Sequence, residues 1–247
     1  MEKNNLNYTI LEKRIQNILS EIQNKPKKFE NIFTELFNHD FQSQLEFIKG
    51  LDDINLKGLI ISIKDLFNVK GYKTRGGSLF LDPLPCLKDA TCINLLRKSG
   101  ALLLGHTNMT ELAYSGLGIN PHYGTPENPI YKGSVPGGST SGGAVSVALD
   151  IADITIGTDT GGSTRIPAAY TGITGFKPTQ DTISREGCLV LSKTLDSVGI
   201  MAKNTALCKL GYEAMNEGPK SKKYYDINNN FTIIIPTNFG FDNIETD

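Results

Sequence analysis

Between Gly133 and Thr179 the chain carries two clusters in which small residues crowd around hydroxyls. The first is Pro136-Gly137-Gly138-Ser139-Thr140-Ser141-Gly142-Gly143; the second is Thr158-Asp159-Thr160-Gly161-Gly162-Ser163. Between them, Gly142–Leu149 reads as a helix of small residues and Ile151–Ile156 as an apolar strand that Gly157 ends. Glycine lets the backbone take φ > 0 and come close to a ligand. A Gly-Gly-Ser run can therefore aim consecutive N–H groups into one concavity that suits an oxyanion. Strands and helices that alternate along the chain place it in the α/β class.

A serine closing such a run can attack a carbonyl held by those N–H groups. The plain alternative is a pair of Gly/Ser loops with no chemistry, which one cluster alone would favour over two. A phosphate-binding P-loop needs a lysine after its last glycine, and none follows Gly142-Gly143. The hydrolase elbow Gly-x-Ser-x-Gly is absent around Ser139, Ser141 and Ser163, and no Ser-x-x-Lys occurs. Serine needs a base, yet His39, His106 and His122 all lie away from the clusters. The best upstream base is Lys64, which ends the apolar run Leu59–Ile63. A lysine buried against apolar strands loses solvation, its pKa falls, and a neutral amine becomes accessible.

With these residues in place, the chain resembles the amidase signature family, the Ser-cisSer-Lys amide hydrolases. The matching text is Ser62-Ile63-Lys64-Asp65, Pro136-Gly137-Gly138-Ser139, Gly157 to Ala169 and Gly175-Phe176-Lys177-Pro178-Thr179. Flanking matches are Asp89-Ala90-Thr91, Gly105 to Glu111, Asn120 to Pro126 and Thr194 to Gly199. The likeness is dense over about residues 50–205. It implies an amidase-signature fold: a mixed, twisted β-sheet core covered by helices on both faces. It also implies Ser163 as the acyl-forming nucleophile, Ser139 as a bridging serine on a cis peptide after Gly138, and Lys64 as the base. Backbone N–H groups of Thr160, Gly161, Gly162 and Ser163 would form the oxyanion hole. Asp159 and Arg165 match positions that buttress the site, although an ion pair or helix cap is an equal reading. Met109, Tyr114 and His122 fall in the substrate-facing loop of the family. No metal or organic cofactor is implied.

The implied reaction is hydrolysis of a carboxamide to carboxylate and ammonia or amine. Small-molecule amides are the expected partners, with no direct contact to nucleic acid or membrane. A homo-oligomer or a second chain completing the domain is also open. The alternatives are the A subunit of a glutamine-dependent aspartyl/glutamyl-tRNA amidotransferase and an inactive truncated remnant. The segment Glu111–Gly118 looks more like a general amidase. The family's domain runs further than this chain, and Phe231–Pro236 resembles the strand that opens its second half. The expected layout is thus an N-terminal helical segment, residues 1–50, packed on an amidase-signature domain, residues 51–247, whose C-terminal part is missing. A truncated gene product or fragment, a split enzyme and a reduced form all fit.

The rest of the chain reads as follows. Basic and acidic residues number 25 and 26, so no strong field favours nucleic acid or a membrane surface. Cys86, Cys92, Cys188 and Cys208 lack Cys-x-x-Cys spacing and read as reduced packing thiols. The polar start has no signal-type apolar run, and no run reaches the roughly 18 apolar residues of a membrane span; a cytoplasmic location is expected. Tyr8–Ile22 has helical spacing, with a break at Lys25-Pro26-Lys27-Lys28. Phe29–Ile48 reads as a second helical region packed through Phe33, Leu36, Phe37, Phe41 and Phe47. Asp65 either tunes Lys64 or caps the strand end. Thr91–Lys98 reads as a helix with Asp89 as N-cap. Ala101–Leu104 reads as a strand followed by His106 as a strand-end hydrogen bonder, Thr171–Phe176 as a strand start, and Ala206–Glu217 as a helix.

Overall fold

The computed structural model describes residues 6–52 and 54–218. The strand expected at Phe231–Pro236 lies outside them. A six-stranded mixed sheet forms the centre, in the order β1-β3-β2-β4-β6-β5. Its strands are β1 (Phe33–Leu36), β2 (Ile60–Lys64), β3 (Leu102–Thr107), β4 (Ile154–Asp159), β5 (Thr174–Phe176) and β6 (Ser197–Ala202). β2 runs parallel to both β3 and β4; β1, β6 and β5 join through antiparallel pairings. The three parallel strands are buried along their whole length, as near-continuous apolar runs require.

Helices cover both faces, as the resemblance implied. The helices are α1 (Tyr8–Asn24), α2 (Phe41–Lys49), α3 (Thr91–Lys98), α4 (Ser141–Ala148), α5 (Arg165–Tyr170) and α6 (Thr205–Met215). Strand alternation divides the apolar side chains between two cores. Ile61, Ile63 and Leu103 pack with Ile93 and Leu96 of α3 and Cys208 of α6. Ile60, Leu102 and Leu104 pack with Leu11 and Ile15 of α1, Leu45 and Ile48 of α2 and Val145 of α4. Small residues in α4 are a steric requirement: a Cβ on Gly142 would run into the Ile32 carbonyl oxygen. On the same helix the Ser146 hydroxyl bonds that of Ser62 at 2.8 Å, pinning α4 to β2.

Several expectations about local structure are corrected. The region Phe29–Ile48 is not one helix: β1 occupies Phe33–Leu36 and pairs with β3, and α2 starts only at Phe41. The turn before it holds Asn31 at φ 62, and the Phe37 N–H donates to the Leu104 carbonyl. Phe47, expected to pack, is about half exposed. Asp89 does not cap α3, whose N-cap is Ala90. It accepts instead from the Lys70 N–H at 2.7 Å and pairs with Arg97 at 2.9 Å. The strands expected at Ala101–Leu104 and Ile151–Ile156 lie slightly later, at Leu102–Thr107 and Ile154–Asp159; just ahead of the second, Asp153 accepts from Arg14 and from the Ile60 N–H. β6 is a further strand, not among those expected from the sequence. Described residues up to Glu217 fall within one compact unit. No described helix is long and apolar enough to cross a membrane.

Candidate active site

Lys64 closes β2 and Asp159 closes β4, so both reach the carboxyl edge of the parallel strands. Ligands of α/β sheets collect at this edge. The Lys64 side chain is fully buried. Its Nζ donates to Ser139 Oγ at 2.7 Å and to Thr158 Oγ1 at 3.0 Å. Burial pulls its pKa from 10.5 to about 7; the Asp159 and Asp196 carboxylates offset part of that fall. A large share of Lys64 is therefore neutral at pH 7, as a base must be.

Ser139 stands in the loop that feeds α4, on a cis Gly138–Ser139 peptide. The Thr110 N–H holds its carbonyl at 3.0 Å, and the Gly138 N–H donates to the Gly116 carbonyl at 2.7 Å. The second cluster turns from β4 into α5. Asp159 is wholly buried and organises that turn, accepting from the N–H groups of Gly162 (2.9 Å), Thr164 (3.3 Å) and Arg165 (3.3 Å). The Arg165 guanidinium adds contacts at 2.8 and 3.0 Å. Burial alone would raise the Asp159 pKa; the Arg165 bond and charge and the turn's N–H groups outweigh it, and the carboxyl lies below its ordinary value. Ser163 stands on this turn at the surface limit, 9 % exposed, and its carbonyl accepts from the Thr140 N–H. Both hydroxyl clusters thus meet. The direct hydrogen bonds reach from Lys64 to Ser139; among the described residues none joins the two serine hydroxyls.

The oxyanion expectation is corrected at one position. The Gly162 N–H points at Asp159, so it is engaged. The N–H groups of Thr160, Gly161 and Ser163 have no acceptor among the described residues and remain for a ligand. Asp65 does not tune Lys64. It accepts from the Arg75 N–H at 3.1 Å and the Gly77 N–H at 3.4 Å, tying down the 75–77 loop. Burial raises its pKa to about 6. His106 is buried in β3, bonded through Nε2 to the Phe67 carbonyl at 3.0 Å, and burial lowers its pKa to about 4. It is a structural hydrogen bonder, as expected. The four cysteines are free, and no His/Cys/Asp/Glu group among the described residues forms a metal site.

A cavity of about 510 Å³ adjoins Thr158. Its walls are mainly apolar: Leu66, Leu81, Leu112, Leu189, Val190 and Leu191, with Glu111 and Asp196 among the polar members. Met109 and Tyr114 line it, the first buried and the second exposed. His122 does not; it bonds Glu111 Oε1 at 2.8 Å and stands behind the wall. A larger cleft, about 860 Å³, lies between Glu35, Tyr72, Asp89 and Arg97, away from Lys64. Asp89 and Arg97 pair with each other there, and Glu35 pairs with Arg75, whereas the smaller cavity is lined in part by Thr158, which accepts from Lys64 Nζ. Sequence reasoning assigned no role to Thr158, Asp196 or the wall Leu189–Leu191. Thr158 and Asp196 stood in motifs it had marked; the wall did not.

The model of the Amidase family matches residues 15–231, and the chain belongs to that family. It is similar to the A subunit of the glutamyl-tRNA(Gln) amidotransferase of Methanococcus maripaludis, 39 % identical over 194 residues, 77 % of this chain and 44 % of that relative. It is also similar to amidase 1 of Arabidopsis thaliana, 45 % identical over 157 residues, 63 % of this chain and 37 % of the relative. A crystal structure of an amidase superposes with TM-score 0.74 at 32 % identity, covering 84 % of this chain and 50 % of that one. The chain thus spans less than half the length of these two curated relatives.

Proposed function

We propose that this protein hydrolyses carboxamides, with Ser163 as nucleophile and Ser139 and Lys64 as the proton relay. The observation that carries the reading is the 2.7 Å bond from a fully buried Lys64 Nζ to Ser139 Oγ. Neutral Lys64 takes the Ser139 proton as Ser139 takes that of Ser163. Ser163 Oγ attacks the amide carbon, and the carbonyl oxygen becomes an oxyanion facing the free N–H groups of the Thr160–Ser163 turn. Each such donor typically contributes roughly 2.7–4 kcal/mol to the transition state. The proton returns through Ser139 to the departing amine, and water then releases the acid by the same relay. The apolar cavity beside Thr158 suits an apolar acyl group, each buried CH₂ of which gains about 0.8 kcal/mol.

A second reading, an amidotransferase A subunit, is favoured by the 39 % identity to such a protein. Glutamine, however, carries two charges on its backbone end. The cavity lining includes no Lys or Arg to meet its carboxylate. Ammonia release from a set of apolar carboxamides and from glutamine tests both. Turnover of the apolar amides that Ser163→Ala abolishes supports the first reading; turnover of glutamine alone supports the second; undiminished turnover in Ser163→Ala overturns both.

A further inference from the structure

Asp196 lies just ahead of β6. The β4–β6 register sets Ser197 opposite Asp159 and so brings Asp196 beside Thr160. Asp196 is buried, 5 % exposed, and its carboxylate joins two structures. One side accepts the Thr160 hydroxyl at 2.5 Å, at the start of the glycine turn. The Leu191 N–H donates to the other oxygen at 2.9 Å and the Ser192 N–H lies 3.0 Å from both, and together they close the end of the cavity wall. Asp159 grips the far side of the same turn through Gly162, Thr164 and Arg165. Two buried carboxylates therefore hold the turn from either end, and only Asp196 also holds the wall.

We propose that Asp196 is a positioning residue that fixes the Thr160 end of the carbonyl-binding turn and the Leu189–Leu191 wall to each other, so that the seat of the amide oxygen and the acyl pocket are set as one unit. The inference rests on the amide-hydrolase reading for its chemical consequence, but the coupling itself is a property of the fold. Misplacing a reacting group by about 1 Å costs up to about a hundredfold in rate, so a turn free to rock about its Asp159 end loses turnover without losing its donors. Asp196 has a second, separable effect. The charged groups that face Lys64 are Asp159 at the end of β4 and Asp196 ahead of β6, with the Cys188 thiol on the adjoining loop. Burial drives the Cys188 pKa strongly upward, leaving it a neutral thiol. Removing the Asp196 charge makes protonated Lys64 harder to hold.

The test uses the whole chain with three variants, Asp196→Asn, Thr160→Val and Thr160→Ser, read by hydrogen exchange and by kinetics on a small and a bulky apolar amide. Exchange is expected to rise in both the 157–165 and the 188–196 segments of Asp196→Asn. It is also expected to rise in both segments of Thr160→Val and in neither of Thr160→Ser. Turnover of Thr160→Val falls between about tenfold and a hundredfold, and Thr160→Ser restores it. In Asp196→Asn the KM for the bulky amide rises more than that for the small one, and the acid limb of kcat/KM moves to lower pH; in Thr160→Val that limb stays. Exchange that rises in one segment only, or full activity in Thr160→Val, overturns the proposal. If the wild type hydrolyses no amide, the functional reading fails, while exchange in the two segments still decides whether Asp196 couples them.

Discussion

Lys64 concentrates the chemistry and a cost in one side chain. It is fully buried, and burial brings its pKa from 10.5 to about 7. Only its neutral form is a base, so kcat/KM is expected to rise with pH through a transition near 7. A pH profile flat from 6 to 8 would contradict that assignment. The same shift acts on stability. Between the folded and unfolded values the unfolded chain holds the extra proton, so Lys64 destabilises the fold below about pH 7 and this penalty fades as pH rises toward 10.5. Lys64→Met is therefore expected to abolish turnover yet melt a few degrees higher than wild type at pH 6, with the gap narrowing by pH 10; thermal unfolding at the two pH values checks it. Asp159 and Arg165 should part company in the same way. Asp159→Ala strands three turn N–H groups in a buried place, at about 1–3 kcal/mol for each left unsatisfied. Arg165 is half exposed, so Arg165→Ala costs less than Asp159→Ala in denaturant unfolding. Gly161 is different again: a Cβ there meets nothing within 4 Å. Gly161→Ala should leave stability within about 0.5 kcal/mol of wild type.

Among the elements, the parallel strands β2, β3 and β4 were legible because burial on both faces writes itself as short apolar runs. β1 was not. Phe33, Leu36, Phe37 and Phe41 recur at helical spacing, and only pairing with a distant partner makes Phe33–Leu36 a strand. That pairing depends on Gly105, where a Cβ would come 2.5 Å from the Glu35 carbonyl oxygen. Gly105→Ala is expected to push β1 off β3 and to cost about 1–3 kcal/mol. Urea unfolding checks this; an unchanged midpoint would mean that β1 yields without loss. The site divides along the same line. Lys64, Ser139 and Ser163 could be named from local motifs whose residue types carry the chemistry. Thr158 against Lys64 and Asp196 against Thr160 join residues 94 and 36 positions apart. Such contacts follow from strand register, which apolar patterning does not encode. The engaged Gly162 N–H was missed for a related reason: a motif does not say which way an amide points.

The molecule as a whole ties its N-terminal segment to the chemistry. α1 clamps Asp153 through Arg14, Asp153 holds the Ile60 N–H at the start of β2, and β2 ends in Lys64. Loss of the α1 packing residue Leu11 is thus expected to lower the single melting transition of the whole sheet rather than to release a separate one, at about 2–5 kcal/mol for Leu11→Ala. Calorimetry that resolves two transitions would contradict this. Near the cavity the surface turns apolar: Leu81 lines it, and Phe80 and Leu84 on the same loop are almost fully exposed. An apolar dye should bind the native chain, and Phe80→Ser with Leu84→Ser should reduce that binding without moving the melting temperature.

The relay itself is tested most directly by intact mass after treatment with a fluorophosphonate serine probe, beside Ser163→Ala and Lys64→Met. One adduct is expected on the wild type, forming faster as pH rises through about 7, lost in Ser163→Ala and strongly slowed in Lys64→Met. An adduct that persists in Ser163→Ala, or none on folded wild-type protein, would contradict a nucleophilic Ser163 driven by Lys64.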